Sequence, residues 1–317
     1  DAKDGMLSFK VLSDKLFSIS KNENIKTWDY QPKGAIINPT ILIANGKISF
    51  VETRSPNEES MLDGRGGDEI YKNTWLVSLD VKTGQKLWER RVKTIPGKTS
   101  YFMAAGSQKY VIASSENGMY DVQVFNEKDG SLVWKNKQKW FHTDHGGHMS
   151  KPAIVGNRLM IKPALYNLET GEEINYNVPK AGHGCASYAL SEQSVFYRGG
   201  SVTQFNFDNR NFSKWERLRP DCWISTIPAE GMILSPEAGG GCSCGNWLET
   251  SMVMAPTSRA PITIKSLGET STVDYKNESW GDYVQECAFN EFVNSVKIEL
   301  MVKPGVDGDL YFTTDGS

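Results

Sequence analysis

Five times along this chain a strand gives way to a tight polar turn, and in four of the five a tryptophan stands four positions past the turn's pivot. The clearest copies are Leu79-Asp80-Val81-Lys82-Thr83-Gly84-Gln85-Lys86-Leu87-Trp88 and Phe125-Asn126-Glu127-Lys128-Asp129-Gly130-Ser131-Leu132-Val133-Trp134. Weaker copies are Leu168-Glu169-Thr170-Gly171 followed by Asn175, and Phe207-Asp208 through Asn211 to Trp215. An eroded copy runs from Ile19 through Asn24 to Trp28. The pivot in each is read as Gly or Asn, the residues that best tolerate a left-handed backbone.

Positions 88, 134, 175 and 215 lie 46, 41 and 40 residues apart. A period of about 40–45 residues is that of one four-stranded propeller blade. The 60-residue gap from Trp28 to Trp88 is longer, and the excess falls in the polar stretch 55–72, read as a loop insertion on one face. Between the turns lie apolar, often β-branched runs such as Ile48-Ser49-Phe50-Val51 and Tyr110-Val111-Ile112-Ala113, bounded by hairpin pairs such as Asn45-Gly46. No long amphipathic helix is evident. The expectation is an all-β chain: a β-propeller of about five visible blades over 1–258, incomplete at its N-terminus and part of a longer polypeptide. A small β-sandwich-like segment is expected over 259–317.

The phrase Asp-x-x-Thr-Gly-x-x-x-Trp, fullest at Asp80–Trp88, resembles the blades of pyrroloquinoline quinone (PQQ)-type propellers. That group includes quinoprotein alcohol dehydrogenases and non-enzymatic scaffolds such as the outer-membrane assembly lipoprotein. Further phrases resemble the large PQQ-like propellers of planctomycete-type bacteria. They are Gly34-Ala35-Ile36-Ile37-Asn38-Pro39-Thr40, Gly182-His183-Gly184-Cys185, Arg219-Pro220-Asp221-Cys222-Trp223 and Cys242-Ser243-Cys244. Tyr311-Phe312-Thr313-Thr314-Asp315-Gly316-Ser317 resembles the β-sandwich that follows chitobiase-type catalytic domains. The resemblance implies that Trp28, Trp88, Trp134 and Trp215 dock one blade onto the next. It also implies an exported protein, periplasmic or at the cell surface.

Two clusters carry ligating side chains. His183, Cys185, Cys222, Cys242 and Cys244 gather in the last blades. Sulfur with imidazole suits zinc or copper, and in an exported chain the same cysteines suit disulfides. Cys287 makes the count odd, so at least one thiol is free or paired outside the chain. His142-Thr143-Asp144-His145-Gly146-Gly147-His148 places three imidazoles in seven residues of an inter-blade loop, a candidate metal or ligand site. A glycine-rich charged loop, Asp63-Gly64-Arg65-Gly66-Gly67-Asp68-Glu69, could close over an anion but lacks the Gly-Lys-Ser/Thr of a P-loop.

A formal net charge of −3 argues against nucleic acid as a partner, and no apolar run approaches a membrane span. No Cys-x-x-Cys-His occurs, so covalent c-type haem is excluded on this chain. The adjacent cysteine pair typical of quinoprotein alcohol dehydrogenases is also missing. No catalytic residue is therefore assigned. The expected role is a non-catalytic scaffold or binding module for a protein, a glycan or another domain of the same polypeptide. The alternative is a dehydrogenase domain using PQQ with calcium.

Overall fold

A computed structural model describes residues 10–55, 64–140, 150–176, 178, 187–216, 218, 226–236, 251–255 and 309–311. The chain divides into two compact units, 1–178 and 179–317. Among the described residues the regular structure is strand, with two short 3-10 turns.

The first unit opens with β1 (Lys10–Ser13) and the hairpin β2 (Leu16–Ile19) and β3 (Lys26–Tyr30). Blade I follows: β4 (Ala35–Ile37), β5 (Leu42–Ala44), β6 (Lys47–Thr53), β7 (Arg65–Gly66), β8 (Thr74–Asp80) and β9 (Lys86–Val92). Its hydrogen-bonded order is β7-β1-β4-β6-β8-β9, with β5 also on β6. A 3-10 turn, Asn38–Thr40, separates β4 from β5, and the Thr40 hydroxyl bridges Ile37 O and Val51 N. Blade II is a regular antiparallel meander of β10 (Ser100–Gly106), β11 (Lys109–Glu116), β12 (Met119–Asn126) and β13 (Leu132–Lys139). Blade III has β14 (Ala153–Val155), β15 (Arg158–Ile161) and β16 (Ala164–Asn167), its outer strand reduced to the bridge Tyr166–Glu173.

The second unit holds two four-stranded sheets. One is β17 (Ala189–Leu190), β18 (Ser194–Arg198), β19 (Val202–Asn206) and β20 (Phe212–Trp215). The other is β21 (Ile227–Ala229), β22 (Met232–Ser235), β23 (Met252–Ala255) and β24 (Asp309–Tyr311). β24 pairs antiparallel with β23, so the one described piece of 259–317 is the outer strand of this last sheet. The remainder of the expected sandwich segment lies outside the described residues.

Successive antiparallel meanders of three or four strands are propeller blades. The chain is a β-propeller. Its apolar residues lie between blades, which is why middle strands such as β11 and β12 are buried on both faces. One cluster (Ile36, Phe50, Val77, Leu79) packs under Trp28 of the leading hairpin. A second (Tyr101, Tyr110, Ile112 against Leu76, Val92) joins blades I and II, and a third (Val122, Val124 against Leu159, Tyr166) joins II and III.

The turn that closes each outer hairpin repeats atom for atom. Asp80 N donates to Gln85 O at 2.8 Å and Gly84 N to Asp80 O at 2.9 Å, and the same two bonds recur from Ser20, Asn126 and Asn167. The side chain at the first position caps the turn. Asp80 Oδ1 accepts from Lys82 N, Thr83 N and Thr83 Oγ1, and Asn167 Oδ1 accepts from Glu169 N and Thr170 N. The fourth residue after it has positive φ: Asn24 at 53°, Gly84 at 70°, Gly130 at 71°, Gly171 at 75°.

Gly84, Gly130 and Gly171 answer a second demand. A methyl group on Gly84 would fall 2.6 Å from the Trp28 ring, one on Gly130 2.5 Å from Trp88, and one on Gly171 2.7 Å from Trp134. Each indole therefore lies on the turn of the following blade. Trp28 and Trp134 also donate Nε1–H to Val81 O and Leu168 O, at 3.0 and 2.8 Å. The buried Nε1 of Trp88 finds no acceptor among the described residues.

The fourth copy departs from the sequence reading at two points. Its positive-φ pivot is Arg210 (57°), one residue before Asn211. In the first three hairpins a bulge just after the turn sets Trp28 opposite Ser18, Trp88 opposite Ser78 and Trp134 opposite Val124. The pairing of β19 with β20 has no such shift, so Ser213 occupies that register and Trp215 stands opposite Val202. Trp215 is thus one pleat repeat, about 7 Å, further from its turn.

We expect Trp134→Ala and Gly171→Ala each to destabilise the fold, the first by about 3–5 kcal/mol. Because each removes the same contact, their costs should fall short of additive in a double-mutant cycle read by chemical denaturation. Additive losses would contradict the stacked geometry.

Candidate functional site

In an antiparallel blade, alternate connections emerge at the same end. The connections 54–73, 93–99, 117–118 and 140–152 all leave one end of blades I to III, and their described residues are tied together there. Arg54 N donates to Asn73 O at 2.8 Å, and Thr99 N to Ser115 O at 3.0 Å. Lys98 reaches Asp68 Oδ2 at 2.7 Å and Glu116 Oε1 at 3.5 Å, which raises its pKa, Asp68 contributing most. Lys10 Nζ donates to Lys98 O at 2.8 Å. Burial lowers the Lys10 ammonium pKa to about 8.

The described part of the stretch 55–72, residues 64–72, differs from the loop insertion read from sequence. Its Arg65–Gly66 strand pairs with β1, and the 3-10 turn Asp68–Tyr71 buries Ile70 and Tyr71 in the core between blades I and II. Glycine permits this: a Cβ on Gly66 would fall 2.2 Å from Ile70. Tyr71 lies 5.5 Å from Tyr101, ring to ring, and its buried hydroxyl, like that of Ser114, has no partner among the described residues. Desolvation holds the Tyr71, Tyr101 and Tyr120 phenols far above their ordinary pKa.

At the outer side of blade I, Glu52 is fully buried and accepts from Arg54 Nε at 2.9 Å, Tyr30 OH at 3.0 Å and Lys33 N at 3.1 Å. Arg54 also pairs with Glu89 at 2.8 Å and lies 4.0 Å above the Trp75 ring. Arg54 and Lys86 hold the Glu89 carboxyl down at about 2. At the opposite end of the blades, buried Glu127 takes Lys47 and Asn45 at 2.8 and 2.7 Å, and Lys109 meets Glu169 at 2.9 Å. Buried polar groups here are satisfied across blade boundaries, as their desolvation requires.

His142, His145, His148, His183, Cys185, Cys222, Cys242 and Cys244 all lie outside the described residues. The flanks of the histidine segment are described. Trp140 donates Nε1–H to Ser115 Oγ at 2.7 Å and N–H to Gly118 O at 2.9 Å, and Ser150 N donates to Tyr120 OH at 2.8 Å. Both flanks are therefore anchored on the β11–β12 hairpin. Among the described residues no group of three His, Cys, Asp or Glu is disposed to hold a metal. The contact of Lys10 with Lys98 went unread in the sequence; Gly97-Lys98-Thr99 preceding a strand gives no signal that a backbone carbonyl will seat another lysine.

No protein-family model matches the chain, and neither does any curated protein. Solved structures do share its outline. BamB from Moraxella catarrhalis is 12% identical with a TM-score of 0.42, over 78% of this chain and 71% of that one. Quinohemoprotein alcohol dehydrogenase ADHIIG from Pseudomonas putida HK5 is 12% identical with a TM-score of 0.36, over 80% of this chain and 43% of the enzyme. Pyrococcus horikoshii acylaminoacyl peptidase gives 10% and 0.43, over 77% and 40%. At such values the propeller assignment rests on the blades' own pairing and docking. No helix among the described residues is long and apolar enough to cross a membrane.

The Lys10 environment predicts a pH dependence. Its folded pKa, about 8, lies below the ordinary 10.5, so the unfolded chain binds more protons between those values. Stability should therefore rise with pH through that window. Compared with Lys10→Met, the native chain should gain stability from about pH 8 to 9.5, below the range in which the buried tyrosines reverse the slope. Parallel pH profiles of the two proteins would show that Lys10 is solvated.

Proposed function

We propose that this chain is a non-catalytic propeller scaffold, a binding module within a larger exported protein of periplasmic or surface location. The observation that carries this reading is the inner side of blade I. The first strand of a blade borders the central channel, and here β4 is extended on that side by β1 and then by Arg65–Gly66. Protein strands occupy the position from which a central cofactor would be approached.

The described residues do not fit a calcium-held quinone. Calcium takes six to eight oxygen ligands, whereas Asp68 and Glu116 are engaged by Lys98. Asp121 Oδ2 accepts from Ile95 N and Gln123 Nε2, both at 3.0 Å. What the loop-bearing end offers is a rigidly held surface of mixed charge, suited to a protein or glycan partner. The histidine segment and the cysteines, as a metal site or as disulfides, belong to this proposal as features of the same module.

Titration of the folded chain with PQQ and calcium, followed by tryptophan fluorescence, tests the assignment. No saturable quenching is expected. Calcium-dependent quenching that saturates in the micromolar range would replace the scaffold with the quinoprotein dehydrogenase alternative.

A further inference from the structure

The outer strand of blade II carries a charge pattern that the blade's own architecture does not use. On one face of β13, Trp134 bonds Leu168 O, Asn136 Nδ2 bonds Gly171 O at 3.0 Å, and Gln138 Nε2 bonds Ile161 O and Lys162 O at 2.9 Å. Those three side chains clamp the strand to blade III. By alternation, Lys135, Lys137 and Lys139 stand on the opposite face, all exposed, about 7 Å apart along the strand. None of the three forms an ion pair among the described residues.

The surroundings add cations. Gln123 and Asp121, opposite Lys135 and Lys137 on β12, bond to Lys93 O and Ile95 N, so the chain leaving blade I runs along this face with Lys93 exposed. Arg90, on the outer strand of blade I, donates Nε–H to Asp129 O at 2.8 Å beside the start of β13. The carboxylate facing the strip, Asp121, is buried and engaged as described above. The outer strand of blade I is different: there Glu89 neutralises Lys33, Arg54 and Lys86. Among the described residues β13, eight residues long, pairs with β12 alone, and its other backbone edge takes no strand.

Lysine on an edge strand commonly does no more than discourage chance pairing. Here the lysines fall on one face only, three cations facing the single carboxylate of Asp121 among the described residues, on a strand held rigid from its other face. We propose that the β13 edge receives an extended acidic polypeptide segment as a fifth strand of blade II, its alternate carboxylates opposite Lys135, Lys137 and Lys139. Main-chain hydrogen bonds supply affinity in this mode of recognition, and alternate side chains supply specificity. Opposite charges directly across a strand pair are favourable, and like charges are not. The inference rests on the scaffold reading and gives it a class of partner.

The test uses the whole chain and three labelled peptides, with binding read by fluorescence anisotropy at low salt. One peptide alternates Glu with Val and Thr, one has the same composition with its Glu residues contiguous, and one is the alternating peptide N-methylated on alternate backbone amides. The alternating peptide should bind, about fivefold or more tighter than the contiguous one. N-methylation should abolish binding, and Lys135→Glu with Lys137→Glu should weaken it about tenfold or more. Lys21→Glu, at an exposed turn elsewhere, should leave it unchanged. Equal binding of all three peptides, or equal competition by dextran sulfate, would mean a diffuse polyanion surface and overturn strand addition. No binding by the folded chain would overturn the site altogether. Neither failure bears on the quinone titration, which decides the scaffold reading separately.

Discussion

Each blade of the first unit is held to the next by an indole lying flat on a glycine. Trp28, Trp88 and Trp134 cover the pivots Gly84, Gly130 and Gly171 at distances that leave no room for a Cβ. The pivot must also take positive φ for the turn to close. Two independent constraints, steric and conformational, thus meet at one residue, and glycine alone satisfies both. Burial of the ring supplies the apolar area, while the Trp28 and Trp134 Nε1–H bonds fix its orientation. Blade III has Asn175 at the position of the indole, and in the second unit the pivot of the 189–215 sheet is Arg210.

Once the blades are docked, polar links between them become affordable in the sense that water is already excluded. Ser49 Oγ lies 2.8 Å from Tyr110 OH and 3.0 Å from Ser78 Oγ, a buried contact from blade I to blade II. Glu127 and Glu169 receive the lysines that begin the second strands of the preceding blades, Lys47 and Lys109. These pairs repeat by position, so they act as register pins as much as sources of stability; buried ion pairs gain little net free energy from their charge alone. A body stiffened in this way can present long connections and edge strands without itself rearranging, which is what a binding scaffold requires.

The repeat was legible because its chemistry is local. The capped turn, the strand alternation and the tryptophan recur within about ten residues, and the all-β propeller follows from their spacing. The misreading at the fourth copy has a physical cause. Whether a bulge follows the turn is decided by strand pairing; its absence and a pivot one residue earlier, at Arg210, together move Trp215 a full pleat repeat from the docking position. The stretch 55–72 misled for a similar reason: its composition is polar, yet Ile70 and Tyr71 find a core that other segments build. The lysine alternation in β13 is visible as Lys-x-Lys-x-Lys, but its meaning depends on which face blade III covers.

The sequence by itself determined the class of fold and the turns, because both are built from interactions among neighbours in the chain. Tertiary structure alone decided which tryptophans dock, that the inner side of blade I is closed by β1 and Arg65–Gly66, and that Lys10 is buried against Lys98 O. Those outcomes depend on contacts between segments tens of residues apart, such as Lys10 with Lys98. No local pattern encodes them, since the free energy that selects them comes from packing and desolvation shared among several blades.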